Sequence, residues 1–125
     1  MLVTLAGLLE GDGGMPGHTE ELRVANSLAV ALCFVQEGTT ARTGPFRVHV
    51  DRLLSFLKSG ARQALGRERA ALVLSVLKRI EAGTVPKGDW NLHARRLAAD
   101  GQVVLEVFWS DVARTMTAAT PPVPR

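Results

Sequence analysis

The chain has 125 residues, enough for one domain with a sizeable core. Hydrophobic residues make up 46% of it and charged residues 22%, a balance that excludes a disordered chain, and no apolar run reaches membrane-span length. The net charge of +3 is unevenly spread, with twelve of the 15 Lys and Arg but only four of the 12 Asp and Glu inside residues 42–96.

Residues 1–41 carry one base and five acids, so a modest total hides a strong local field. The single cysteine excludes an intrachain disulfide and suits a reducing, cytoplasmic compartment.

Residues 1–9 (MLVTLAGLL) form a short strand or a helical turn, and they lack the basic start and full apolar run of a secretory signal. The glycine-rich stretch EGDGGMPG at residues 10–17 reads as a flexible linker. Residues 1–18 are thus expected as an apolar segment plus linker ahead of a helical domain at 19–119.

Thr19 is the expected N-cap of the first long helix, with Glu20 and Glu21 in its first turn. Leu22, Ala25, Leu28, Leu32 and Val35 recur at helical spacing, and the run LAVALCFV at residues 28–35 is apolar nearly all round. Such a helix is either central in a core or half-buried against another subunit. Gly38 marks its end.

Pro45 suits the start of a second helix, with Phe46, Val50, Leu53 and Leu57 inward and Arg47, Asp51, Ser55, Lys58 and Arg62 outward. Gly60 is expected to end or bend it. A third helix within residues 61–82 turns Leu65, Leu72, Val73, Val76, Leu77 and Ile80 inward, and Gly83 with Pro86 stops it.

Residues 90–109 hold Asp100-Gly101 between WNLHARRLAA and QVVLEVFW, the pattern of a β-hairpin. The competing reading is a helix started by Asp89 and capped by Gly101, followed by a helical stripe of Leu105, Phe108, Val112 and Met116. Ser110 is expected to cap a short final helix to about Ala118, and the proline-rich residues 120–125 to be disordered or extended. The expected fold is mainly α, a small antiparallel helical bundle at 19–36, 45–59 and 61–82 with a C-terminal β-hairpin, or α+β once the hairpin is counted.

No motif for catalysis or metal binding stands out. Gly83 and Gly88 have phosphate-loop spacing, but Asp89 and Trp90 stand where Lys and Ser or Thr are needed. His18, His49 and His93 lack ligand spacing, so no metal or other cofactor is expected. Cys33 lies in the most apolar run, where it behaves as a small buried hydrophobe. No serine has a nucleophile-elbow context, and an enzyme is the less favoured reading.

Two binding readings remain. The first is a protein-interaction or assembly module whose partner is itself or another protein, with Leu28, Leu32, Phe34 and Val35 in the interface. The alternative is nucleic-acid binding, with Arg47, Arg52, Lys58, Arg62, Arg67, Arg69, Arg95 and Arg96 on phosphates. In that case Arg95 and Arg96 would sit on the hairpin as a basic wing.

Overall fold

A computed structural model describes residues 1–84 and 86–119. Six helices run in chain order: α1 Leu2–Gly7, α2 Glu20–Gln36, α3 Arg47–Ala64, α4 Arg67–Glu81, α5 Trp90–Asp100 and α6 Leu105–Ala119. Among the described residues there is no strand, and no helix is long and apolar enough to cross a membrane. The tail at 120–125 lies outside the described residues.

Helix α2 starts as its sequence requires. The Thr19 hydroxyl accepts the Leu22 backbone N–H at 3.1 Å, and Glu20 and Glu21 occupy the positive end of the helix dipole. At the other end, Gly38 N–H donates to Val35 C=O and Thr39 N–H to Phe34 C=O, a Schellman closure. The same pair of bonds closes α4 around Gly83.

Every residue from Val24 to Val35 is buried, so α2 is the central rod of the molecule. Helix α3 packs along one flank and α5 along another, and α6 closes part of the remainder. Helix α4 lies outside, on α3 and α6, and α1, with Leu5 and Ala6 buried, rests on α5. The all-round apolar run is explained by this position, since a helix covered on every side has no polar face to keep.

Helix α3 runs through Gly60 to Ala64. One glycine costs a helix about 1 kcal/mol relative to alanine, less than is gained by continuing the buried stripe of Leu53, Leu57 and Ala61. The chain breaks instead at Leu65 and Gly66, both extended, which folds α4 back along α3.

The expected hairpin at 90–109 does not form. Trp90, His93, Ala94 and Leu97 are buried at helical spacing in α5, and Phe108, Trp109 and Val112 likewise in α6. A two-residue hairpin turn of the Asp-Gly type needs positive φ at both residues. Here only Gly101 has it, at +80°, and it serves as the left-handed cap of α5. Helix α6 begins at Leu105, so Ser110 lies inside it and caps nothing.

Residues 10–17, expected as a flexible linker, are tied into the helical body. Arg23 makes ion pairs with Glu10, Asp12 and Glu20 and donates through Nε to Met15 C=O. Ser27 Oγ accepts Met15 N–H at 2.8 Å, and Arg52 donates to the carbonyls of Glu10 and Gly11. Met15 is fully buried, and a Cβ on Gly14 would stand 2.7 Å from the Phe56 ring. The Asp12 carboxyl is held below its usual 3.8, first by the Arg23 hydrogen bonds.

Candidate nucleic-acid interface

The charge asymmetry of the sequence survives folding. Arg23, the one base of residues 1–41, gathers three of that segment's five acids. Few acids are left to neutralise residues 42–96. Among the described residues, Arg42, Arg47, Arg62, Arg67, Lys78, Lys87, Arg95 and Arg96 are exposed and have no carboxylate partner.

The helical hairpin α3–α4 brings part of this set together. Lys58 and Arg62, one turn apart on α3, face Ser75 and Lys78 on α4 across a groove of about 620 Å³ floored by Leu74 and Leu77. The groove continues past Lys58 and Glu81 into a second hollow of about 710 Å³, where Arg42 and Asp51 stand on the rim. Lys58 is ion-paired with Glu81, while Arg62 and Lys78 carry unneutralised charge.

Helical register adds Arg47 to the Asp51, Ser55, Lys58 and Arg62 stripe of α3, and Arg67 to the Ala71, Ser75 and Lys78 stripe of α4. Six bases and two acids, Asp51 and Glu81, share these two stripes and the adjoining rim. The arrangement holds cations on fixed rods, which suits contact with regularly spaced phosphates.

Other expected contributors are elsewhere. Arg52 is occupied by the carbonyls of Glu10 and Gly11. Arg69 is ion-paired with Glu21, and its guanidinium lies 5.6 Å from the Trp109 ring centroid. Arg95 and Arg96 are exposed on α5, which packs on α2 and α1 and shares no substantial contact with α3 or α4. They form no wing, because there is no hairpin to carry one. Lys78 and Arg42 were absent from the expected contact set; the α4 register of Arg67, Ala71, Ser75 and Lys78 is the signal that places Lys78.

The residues expected in a protein interface are inside the chain's own core. Leu28, Leu32 and Phe34 are 0% exposed and Val35 is 5% exposed. Helices α3, α5 and α6 cover them, so the apolar surplus of α2 is met within one molecule.

Among the described residues, no group of three His, Cys, Asp or Glu side chains is placed to hold a metal ion. One titratable pair went unnoticed in the sequence. His93, 1% exposed, has Nε2 2.7 Å from Asp111 Oδ2, and the other Asp111 oxygen accepts from Arg114. The imidazole is packed against the rings of Trp90 and Phe108, and its Nδ1 is buried without a partner. With both ring nitrogens shut from solvent, the pair pins α5 to α6. His49 is half-buried beside Phe46, and His18 is exposed.

Cys33 is buried, and its thiol donates to Asn91 Oδ1 at 3.1 Å. Burial, helped by Glu37, pushes its pKa from 9.0 up to about 11. The neutral thiol is therefore favoured by folding. That contribution is fully present below pH 9 and is lost as pH rises through about 11. Folded protein at pH 8 is expected to react with an aromatic disulfide at least about a hundredfold more slowly than protein in denaturant. Equal rates would show the thiol to be accessible.

Compared with known proteins, the chain matches no family model, no curated protein and no solved structure.

Proposed function

We propose that this domain is a non-catalytic binder of nucleic-acid backbone and that the α3–α4 face makes the contact. One observation carries this reading: Arg62 and Lys78 face one groove from two helices, and neither has a carboxylate partner. The cations of the groove would release the counterions condensed on nucleic-acid phosphates, and that release is the main source of non-specific affinity. Self-association through Leu28, Leu32, Phe34 and Val35 loses the apolar surplus that suggested it, because those side chains are buried within the chain.

The test is fluorescence anisotropy on labelled nucleic acid over a range of salt. The Arg62→Ala, Lys78→Ala double variant is expected to bind about tenfold more weakly at low salt. Its slope of log affinity against log salt should be shallower by about 2, near 0.9 for each lost phosphate contact. Both side chains are exposed, so the thermal melt should stay close to that of the parent. Arg95→Ala with Arg96→Ala, on the other flank, should change affinity by less than about twofold in the same salt series. Equal losses for the two pairs would show that net charge, and not this groove, drives binding.

A further inference from the structure

The proposed backbone contact constrains which nucleic acid can be held. Proteins that bind single strands without sequence preference combine a basic channel with exposed aromatic rings on which the bases stack. This chain has six Trp and Phe rings, two Trp and four Phe, and no Tyr. Phe34, Phe56, Trp90, Phe108 and Trp109 are buried. The sixth, Phe46, is half-buried with its ring 5.2 Å from Phe34 and 5.7 Å from His49. None of the six lines the α3–α4 groove. An unpaired strand laid there would find charge but nothing to stack on.

The groove is also poor in groups that read bases. Between its cations lie Ala71, Leu74, Leu77, the single hydroxyl of Ser75 and the Glu81 carboxylate, which is paired with Lys58. No Asn or Gln lines either hollow. Helix α4 packs against α3 and α6, so it does not stand clear of the body as a helix inserted in a major groove must. What remains is a row of cations carried on two packed helices, of which Arg62 and Lys78 have no carboxylate partner. Lys58 and Arg62 are one turn apart, about 6 Å along the α3 axis. Such a row suits a stiff ligand with regular phosphates. Duplex DNA also carries its charge at one per about 1.7 Å of axis, twice the density of one strand, so counterion release favours it.

We infer that the α3–α4 groove selects double-stranded over single-stranded DNA and grips the duplex through its phosphates, without regard to sequence. The inference rests on the proposed nucleic-acid reading and adds the ligand class to it. The experiment uses the full chain and anisotropy at low salt. Probes are two 16-base-pair duplexes of unrelated sequence and a 16-residue oligothymidylate, with polyglutamate as competitor. The expected result is equal affinity for the two duplexes and at least about fivefold weaker binding of the single strand. Polyglutamate should displace the duplex only in large excess.

Equal or tighter binding of oligothymidylate would overturn the duplex inference and leave the backbone reading standing. A tenfold difference between the two duplexes would overturn the claim of sequence indifference. Failure to bind any of the three nucleic acids, or displacement by polyglutamate at matched charge, would overturn both the inference and the reading beneath it.

Discussion

Replacing Leu32 by aspartate should unfold the domain. Leu32 is 0% exposed on a helix covered along its whole middle, so a carboxylate there has neither water nor a cation. An unpaired buried charge, with the apolar contacts of leucine also lost, costs upwards of about 4 kcal/mol. That is a large part of the roughly 5–15 kcal/mol by which domains of this size are stable. Loss of the helical circular-dichroism signal at 25 °C, or a collapse of the urea midpoint, is the expected reading. A soluble Leu32→Asp variant with the parent's melting temperature would mean that this face of α2 is open to solvent.

The second large effect centres on Asn26. This fully buried amide joins two segments that are far apart in sequence. Its Nδ2 donates to Pro16 C=O at 2.8 Å, and its Oδ1 accepts the buried Val103 N–H at 3.0 Å. The first bond holds the N-terminal loop, and the second holds the turn between α5 and α6. Alanine would strand both backbone groups, and a buried orphan costs about 1–3 kcal/mol. Asn26→Ala should therefore lose about 3 kcal/mol in a urea titration, with the melting temperature falling by roughly 10 °C or more. A loss below about 0.5 kcal/mol would mean that water replaces both bonds.

The two positions show what the sequence conveyed and what it withheld. Thr19, Gly38 and Gly83 mark helix ends by local chemistry, so both limits of α2 and the end of α4 were legible within a few residues, whereas the start of α4 at Arg67 was not. The stretch at 90–109 was not, because a positive-φ glycine after aspartate serves a hairpin turn and a helix cap equally well. The run at residues 28–35 posed a separate ambiguity, because a helix apolar nearly all round fits the centre of a core and a subunit interface equally well, and that run alone suggested an interface at Leu28, Leu32, Phe34 and Val35.

The basic face was legible where one helix sufficed. Arg47, Lys58 and Arg62 recur at helical spacing on α3. Arg52 and Arg69 could not be sorted from them by spacing alone. Their partners, the carbonyls of Glu10 and Gly11 and the carboxylate of Glu21, lie 41 to 48 residues away. The His93–Asp111 contact depends on the way α5 and α6 cross, which no spacing rule supplies.

The covered position of α2 bears on how the chain is made. Its flanks are filled by α3, which follows soon after it, and by α5 and α6, which come last. During synthesis the LAVALCFV segment emerges long before Phe108 and Val112 exist to shield it. Until then one side of the rod is bare hydrocarbon on a growing polypeptide, the kind of surface that holdase chaperones grasp and that sticks to neighbouring nascent chains. The finished molecule hides its stickiest element completely; the half-made one displays it.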